Sequence, residues 1–382
     1  MKGYNGKILR VDLNDCTWSV EAPEENFYRR YIGNDIMGAY YLLKETKPGI
    51  DAFDAENLLM FMSGAVCGVN APGLSRFVVC GKSPVTGGIG EARCEGPFAI
   101  ALKASGFDGI IVKGAAKNPK MLVIEDGNVS IEDADNLWGK TTNAATKEIE
   151  NHYPNAHSAV IGPAGENRIR FANIISDYCH AASRAGMGAV MGSKLLKAVV
   201  IKGGELPKAA FEEARKSLYN WFDEKMRNNI LSMWQYNRPG FGVWIHTHGI
   251  DASVCVNNYQ SATCDYLNNF EPERFAPFYK GEASCPGCPN NCIKLYAAPG
   301  DDARSGGLHQ EALGSFGPNV GCSSTEAVIR ANTLSNELGM DPNSLGYTIS
   351  FAMECVQRGL LDSGDLNLTF RARSLPPLQA AR

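Results

Sequence analysis

The sequence predicts an α+β protein, with a strand-rich first part followed by an all-helical part. Before residue 205 the chain carries a series of short apolar or alternating runs separated by glycine-rich turns, a pattern typical of strands. After Gly203-Gly204, apolar residues recur at helical spacing instead. We therefore expect a first domain over 1–205, a helical region over 206–365 and an atypical tail over 366–382.

The predicted strands and helices follow from these patterns. The strands are expected at 7–13, 58–64, 76–81, 109–114, 121–126, 158–162 and 197–203. Helices are expected at 27–44, 141–152 and 212–226, and another from 323, where Ser323 and Glu326 form a capping box and Gly339 provides a stop. A last helix is expected to end near Gly359.

Composition restricts the class of protein. The chain has 382 residues, 44% of them hydrophobic and 20% charged, with a net charge of -4. These values give no indication of disorder, of a nucleic-acid-binding surface or of a basic membrane anchor, and they favour small-molecule chemistry. No run reaches the roughly 20 apolar residues of a membrane span, and residues 1–15 alternate like a strand instead of forming a signal peptide. We expect a cytoplasmic protein.

The chain has 12 cysteines, which is many for a large protein without an export signal. Reduced thiols are therefore expected in place of disulfides. Four cysteines with apolar neighbours are expected to be core residues: Cys67, Cys80, Cys179 and Cys355.

One stretch has the spacing of metal ligands. In SCPGCPNNC, the thiols of Cys285, Cys288 and Cys292 form a C-x2-C-x3-C run, and Pro286 and Pro289 stiffen the loop. Three closely spaced thiolates can hold one iron–sulfur cluster while a fourth ligand arrives from elsewhere. Zinc usually needs a second ligand pair, which is missing nearby. A cluster is the favoured prediction, with zinc and a metal-free loop as the alternatives.

With its surroundings, this run resembles the aldehyde ferredoxin oxidoreductase family, whose members are tungsten–pterin enzymes. The similarity extends over residues 1–365 in several ordered segments. They are GYNGKILRVDL (3–13), NLLMFMSGAVCGVNAPGLSRFVVCGKSPVTGG (57–88), FAIALKASGFDGIIVKG (98–114), LWGKTT (137–142), IGPAGENRIRFANI (161–174) and SRAGMGAVMGSKLLKAVVIKG (183–203).

The resemblance implies two pterin dithiolenes that hold one tungsten, and a nearby [4Fe-4S] cluster that passes electrons to ferredoxin or another electron-transfer protein. It implies a small aldehyde as substrate, oxidised to the acid. The strand-rich domain would support the pterins and the helical region would cover them. Tungsten and molybdenum both remain open, because pterin sulfurs hold the metal.

Several residues acquire roles from this resemblance. Arg76 would bridge pterin and cluster, since its guanidinium is a fixed fork of donors; alternatively it is a plain surface residue. The pterin phosphates and a magnesium ion would lie at the turns that contain Arg93, Glu95, Ala182, Ser183 and Arg184. Family members often carry small or acidic residues in place of Arg93 and Glu95, so direct pairing of Arg93 with phosphate competes with magnesium bridging. The glycines in segment 186–189 could serve phosphate binding, or they could simply allow close packing of a helix.

The helical region contributes the remaining candidates. Glu311 aligns with the family glutamate beside the metal, where a carboxylate can act as a base; alternatively it is a first-turn helix glutamate. The segment 336–341 stands where the family has its pterin-ring signature, which here comprises Asn336, Gly339, Met340 and Asp341. Asn336 and Met340 depart from that signature, although an amide can still bond a pterin edge.

Arg330 stands where some family homodimers bind an interfacial iron through an acidic residue, so that site is not carried over. His246 and His248 alternate as strand residues do, with a place in the substrate cavity as the alternative.

The fourth cluster cysteine of the family lies beyond the point where this sequence ends. Cys322 and Cys355 are the only later cysteines, and neither stands in the expected pattern. We therefore expect a C-terminally truncated chain with a foreign tail. The alternative functions are a catalytic subunit of a larger reductase, such as a benzoyl-CoA reductase-like complex, and an inactive fragment. A homodimer or partner iron–sulfur subunits are the expected assemblies.

Overall fold

The computed structural model describes residues 3–69, 71–207, 212–229, 252–366 and 368–370. The chain divides into two compact units that are not continuous in sequence. The first comprises Met1–Met226, Ser284–Pro289 and Glu337–Asp341, and the second Arg227–Ala283, Asn290–Asn336 and Pro342–Arg382. The first unit thus contains part of the cysteine run and the end of the predicted pterin-ring signature.

The first unit holds two six-stranded sheets. Sheet 1 has the order β2-β1-β6-β3-β4-β5 and is antiparallel except where β1 lies parallel to β6. Its strands are β1 (Ile8–Asp12), β2 (Thr17–Glu21), β3 (Leu59–Ser63), β4 (Arg76–Lys82), β5 (Ile89–Glu95) and β6 (Gly109–Lys113).

Sheet 2 has the order β11-β10-β9-β12-β7-β8, with β12 parallel to β7. Its strands are β7 (Lys120–Glu125), β8 (Asn128–Asp133), β9 (His157–Val160), β10 (Ile174–Ser176), β11 (His180–Ala182) and β12 (Leu196–Lys202). Strand β5 is an edge of sheet 1 and β11 is an edge of sheet 2, which decides where the candidate site lies.

Two helices lie between the sheets, α3 (Pro97–Ala104) and α6 (Met187–Ser193), and both contribute to one buried cluster with the two sheets. On the outer face of sheet 1 pack α1 (Glu25–Tyr31) and α2 (Asn34–Glu45), and on that of sheet 2 packs α4 (Thr142–His152). A short α5 (Pro163–Glu166) follows β9, and α7 (Glu212–Trp221) lies at the end of the unit. The unit is therefore layered as helix, sheet, helix, sheet, helix.

The predicted helix over 27–44 is wrong as one continuous element. The chain breaks at Ile32 and Gly33, whose φ angles of 58° and 132° no α-helix can contain. Gly33 is needed there, because a Cβ at that position would lie 2.7 Å from the Ser63 carbonyl oxygen.

The second unit is mostly helical. Among its described residues the α-helices are α8 (Pro272–Phe275), α9 (Gln310–Phe316), α10 (Thr325–Leu338) and α11 (Pro342–Gln357), and a two-stranded ribbon joins β13 (Tyr279–Glu282) to β14 (Lys294–Tyr296). The predicted capping box is wrong by one residue, since the hydroxyl of Ser324, not Ser323, accepts the Ala327 N–H at 3.2 Å. Gly339 ends α10 with φ 74°, as predicted.

The predicted α+β class is confirmed, and each predicted strand has a counterpart in the sheets. The sequence patterns did not indicate β2, β5, β8, β10 and β11 in the two sheets, nor β13 and β14 in the part expected to be all-helical. Of the helices in the described ranges, none has the length and apolar character needed to cross a membrane.

Candidate functional site

The edge strands β5 and β11 lie alongside each other. A Cβ added to Gly96, just after β5, would lie 2.6 Å from the His180 ring, and one added to Gly90 would lie 3.1 Å from the Ala185 Cβ. Residues 180–185 therefore lie beside residues 90–96, and the two segments run in opposite directions. The fold thus brings together the two segments predicted to hold the pterin phosphates, 93–95 and 182–184.

Arg76 and Glu95 form one cross-strand pair at the end of this edge. Arg76 opens β4, directly opposite Glu95 at the end of β5. The Arg76 side chain is exposed, and within the described ranges its guanidinium has no hydrogen-bond or ion-pair partner. An exposed guanidinium without a carboxylate partner fits recognition of an anion.

The first half of the cysteine run forms a turn beside Arg76. Ser75 Oγ donates a hydrogen bond to the Pro286 carbonyl at 2.8 Å, and the Tyr219 hydroxyl donates to the Gly287 carbonyl. The turn closes on itself, since the Cys288 N–H donates to the Cys285 carbonyl at 3.0 Å. Gly287 has φ 73°, which with proline before it is typical of a type II turn.

The three cysteines are divided between the units, Cys285 and Cys288 in the first and Cys292 in the second. In the described part of the chain, no three Cys, His, Asp or Glu side chains are grouped as a metal site. The cluster therefore stays a prediction from the spacing.

The cysteines predicted to be core residues behave as such in three cases: Cys67, Cys80 and Cys179 are buried. Cys355 is half-buried on α11. Burial raises the pKa of the Cys67 thiol to about 11. Burial also raises the pKa of Cys179, and the nearby Cys285 thiol adds to that rise.

Arg93 is occupied by carboxylates. Its Nε donates to the Glu91 carboxylate, and its guanidinium lies 3.6 Å from Asp35 Oδ2 at the start of α2. Arg93 points to the α2 face of sheet 1, because Ala92 and Cys94, its strand neighbours, are buried in the inter-sheet core. Direct pairing of Arg93 with a phosphate would have to compete with both carboxylates.

The segment 339–341 is attached by an isolated β-bridge and hydrogen bonds to the residues just before β10. Met340 forms an antiparallel bridge with Ala172. The Asn173 N–H donates to the Gly339 carbonyl and Asn173 Nδ2 to the Met340 carbonyl, both at 2.9 Å. The Asp341 N–H returns a bond to the Phe171 carbonyl at 3.1 Å.

Asp341 is in turn bonded to the second predicted phosphate segment. Arg184 Nη1 donates to Asp341 Oδ2 at 2.7 Å. Thus Arg184, Met340 and Asp341 come together in the first unit. Asn336 lies in the second unit, buried, and its Nδ2 donates to the Ser305 carbonyl at 2.8 Å.

The glycines at 186 and 188 are explained by packing. A Cβ on Gly186 would lie 2.0 Å from the Arg170 carbonyl oxygen, and one on Gly188 would lie 2.2 Å from that of Asn173. The segment before α6 is fixed further by Ser83 Oγ, which donates to the Ala185 carbonyl at 2.9 Å. Close packing is therefore sufficient to require both glycines.

Glu311 and Arg330 lie in the second unit. Glu311 is exposed in the first turn of α9. Arg330 pairs with Glu326 one turn earlier at 3.1 Å and lies 3.7 Å from Asp301. His246 and His248 lie outside the described residues, as do residue 367 and 371–382 of the predicted tail.

The residues of the first unit fit an anionic pterin group. Among the described residues the Arg76 guanidinium has no ion-pair partner, so it offers a positive charge beside the cysteine turn. Next to 339–341, Asn173 Oδ1 is a buried acceptor without a hydrogen-bond partner among the described residues. Gly73 and Gly87 have open space where a Cβ would stand, so the backbone beside β4 is accessible to a ligand.

Sequence reasoning missed Ser75, Tyr219 and Asn173. Ser75 and Asn173 were contained in quoted family segments, but a hydroxyl or amide that bonds a distant carbonyl leaves no periodic signal. Tyr219 falls in a helical pattern where an aromatic residue is ordinary.

Comparison with known proteins places these features in a family. Residues 8–203 match the aldehyde ferredoxin oxidoreductase N-terminal domain, and residues 217–374 match domains 2 and 3 of the same family. The tungsten-containing aldehyde ferredoxin oxidoreductase of Pyrococcus abyssi is 36% identical over 369 residues, which cover 96% of this chain and 61% of that protein.

Two other relatives show how varied the group is. The aliphatic sulfonate oxidoreductase, WOR-like subunit, of Pyrococcus furiosus is 33% identical, with 96% of this chain and 61% of the relative covered. The active site complex BamBC of benzoyl coenzyme A reductase, in complex with 1,5 dienoyl-CoA, superimposes with a TM-score of 0.85 at 26% identity, covering 96% of this chain and 58% of that one. This chain belongs to the aldehyde ferredoxin oxidoreductase family.

Proposed function

We propose that this chain is the cofactor-binding part of a tungsten–pterin oxidoreductase that converts an aldehyde and water into a carboxylic acid, two protons and two electrons. The observation that carries the proposal is the convergence, in the first unit, of the cysteine turn, Arg76 and the 182–184 and 339–341 segments along one sheet edge. Family membership supports it, although the chain spans 61% of the length of the curated relatives it matches.

In this proposal the pterin-held metal, tungsten or molybdenum, supplies two-electron redox chemistry and a [4Fe-4S] cluster carries the electrons away singly. Cys285, Cys288 and Cys292 supply three thiolates for the cluster. Arg76 stands beside that turn and would donate hydrogen bonds to both the pterin and the cluster once they are bound. A guanidinium suits both because it stays charged and presents several donors at once.

Charge balance along the edge favours a magnesium ion. Arg93 is paired with Glu91 and Asp35, and Arg184 with Asp341, so little positive charge is left for two phosphate groups. A divalent cation would supply it, held by phosphate oxygens and by backbone carbonyls near Ala182 and Ser183. Ser183 and Glu95 complete the edge with a hydroxyl and a carboxylate.

Glu311 is the proposed base. Its carboxylate would take a proton from the hydrated aldehyde as the carbon is oxidised. Gly339 and Met340 of the first unit would border the pterin ring, whereas the Asn336 amide is buried in the second unit and donates to the Ser305 carbonyl.

A second candidate is a catalytic subunit of a reductase, in which electrons enter through the cluster. The structural similarity to the BamBC complex, at a TM-score of 0.85, favours it. Ferredoxin or another electron-transfer protein would be the partner in the first case, and iron–sulfur subunits in the second. In both, a second copy of the chain is a further candidate partner, and the location would be cytoplasmic.

Metal analysis of the chain purified without oxygen tests the proposal. We expect about four iron atoms per chain and about one tungsten or molybdenum with a pterin. Cys288→Ser should lose iron, while Cys322→Ser, a buried thiol of the second unit, should retain it. Absence of both iron and pterin would refute the proposal. Aldehyde-dependent reduction of ferredoxin distinguishes the first candidate from the second.

A further inference from the structure

The cysteine turn is held from outside by two hydroxyl groups on separate elements. Ser75, which precedes β4 and is 1% exposed, donates to the Pro286 carbonyl at 2.8 Å. Tyr219, on α7, donates to the next carbonyl, that of Gly287. The two central carbonyls of the turn, those of Pro286 and Gly287, therefore each accept a hydrogen bond from a side-chain hydroxyl.

These bonds fix the orientation of the intervening N–H groups. In a planar trans peptide the C=O and N–H point in opposite directions. Because Tyr219 holds the Gly287 carbonyl, the Cys288 N–H points away from Tyr219, and it donates to the Cys285 carbonyl at 3.0 Å. By the same geometry, the Ser75 bond turns the Gly287 N–H away from Ser75.

The Gly287 N–H is left as a donor. In the described ranges it meets no acceptor, while Gly287 itself is held at φ 73°. Hydrogen bonds from backbone N–H groups to cluster sulfurs help to set reduction potentials, and partners that orient metal ligands affect affinity strongly.

We infer that Ser75 and Tyr219 are positioning residues of the cysteine turn, which orient the Gly287 N–H toward a thiolate or cluster sulfur and preorganise Cys285 and Cys288 for metal binding. Neither residue touches the metal. The inference rests on the proposed function, because it assigns the turn to a thiolate-bound metal. Burial raises the pKa of the Tyr219 hydroxyl, and the charge of the nearby Cys288 adds to that rise.

The test uses Ser75→Ala and Tyr219→Phe in the full chain. Thiolate-to-cobalt absorption during titration with Co²⁺ reports the affinity of the turn, and we expect about tenfold weaker binding in each variant. In reconstituted protein, the cluster potential should shift to more negative values, because a hydrogen bond to sulfur is lost. Ser75→Thr, which keeps a hydroxyl, should restore both values.

Matched controls separate positioning from general stability. Ser63 is also a buried serine that donates to a carbonyl, that of Asp108 at 3.0 Å, and Tyr4 donates to the Ile32 carbonyl at 2.7 Å. Ser63→Ala and Tyr4→Phe should leave cobalt affinity and potential unchanged. If Ser75→Ala does not fold, Tyr219→Phe alone must show the loss.

The outcomes distinguish the two proposals. A parent chain that binds iron and Co²⁺ while Ser75→Ala and Tyr219→Phe bind equally well overturns the positioning role and leaves the proposed function intact. A parent chain that binds neither metal overturns both.

Discussion

Arg184 Nη1 lies 2.7 Å from Asp341 Oδ2, so two residues 157 positions apart form one ion pair in the first unit. The pair is asymmetric, because the Asp341 side chain is 3% exposed and that of Arg184 is 54% exposed. Losing the arginine therefore leaves a buried carboxylate without its cation, whereas losing the carboxylate leaves a guanidinium that water can solvate.

We expect Arg184→Met to lower the free energy of unfolding by about 1–3 kcal/mol, and Asp341→Asn by less than about 1 kcal/mol. Urea denaturation of both single variants and the double variant measures the coupling. The double variant should be more stable than the sum of the single effects predicts. Strict additivity would show that the pair contributes nothing.

A second ion pair is fully buried. Lys103 Nζ lies 2.5 Å from Asp108 Oδ1, and the same carboxylate accepts the N–H groups of Asn5 and Gly6 at 3.0 and 2.8 Å. Asp108→Asn should cost about 3–5 kcal/mol, because it removes one partner of a buried pair and weakens the attachment of the N-terminal loop. Thermal denaturation measures this loss. Lys113→Met, which removes an exposed pair with Glu56, is the control and should cost little.

The fold could be predicted from the sequence where one face of a strand or one stripe of a helix is buried. Burial there makes apolar residues recur at a regular spacing along the chain. The strands of the core contain continuous apolar runs, such as 59–62 in β3 and 198–201 in β12. In contrast, β2 alternates polar and apolar residues but is exposed on both faces, and the buried face of β5 consists of the small residues Gly90, Ala92 and Cys94, which give only a weak hydrophobic signal.

The candidate site was predictable in its residue types and not in its contacts. The segments 93–95, 182–184 and 339–341 were identified by resemblance, and the fold brings them to one edge. The pairing of Arg93 with Glu91 and Asp35 was not foreseen, because α2 approaches β5 only through tertiary packing. Similarly, no spacing in the sequence relates Asn173 to Met340.

Lys194 gives a stability effect that depends on pH. Its side chain is fully buried and its Nζ donates to the carbonyls of Ala55 and Gly114 at 3.0 and 3.1 Å. Burial lowers the pKa of Lys194 to about 8, only partly offset by nearby acidic groups. Between about pH 8 and 10.5 the unfolded chain therefore binds more protons, and the free energy of unfolding should rise with pH.

The measurement compares the parent chain with Lys194→Met. As pH rises through that window, the free energy of unfolding of the parent chain should increase by about 3 kcal/mol relative to that of Lys194→Met. Lys202→Met, at an exposed lysine paired with Glu125, should show no such relative change. Parallel pH profiles for the parent and Lys194→Met would contradict the prediction.

His157 should have the opposite effect on stability, which it should lower as pH rises. Its Nδ1 lies 3.2 Å from Asp177 Oδ1, and this hydrogen bond raises the pKa of His157 above its ordinary value. The stabilisation is thus complete below about pH 6.5 and is lost as pH rises through the higher folded-state pKa. Because the ring is partly exposed, the effect should stay below about 1 kcal/mol. His157→Gln should remove it in urea denaturation between pH 6 and 8, roughly, and an unchanged slope would refute it.

Gly188 links the packing of α6 to the 339–341 segment. A Cβ at this position would lie 2.2 Å from the Asn173 carbonyl oxygen, and Asn173 donates to the carbonyls of Gly339 and Met340. Gly188→Ala must push this backbone away, and overpacking of this kind costs about 1–3 kcal/mol. Amide hydrogen exchange at Asp341, whose N–H bonds the Phe171 carbonyl, should become faster.

A matched control exists at Gly88, where the nearest atom to an added Cβ is Thr86 Oγ1 at 3.7 Å. Gly88→Ala should change neither the free energy of unfolding nor exchange at Asp341. If Gly188→Ala destabilises the chain while exchange at Asp341 keeps the parent rate, the steric strain is absorbed elsewhere. Asn173 would then not be the connection through which α6 holds the 339–341 segment in place.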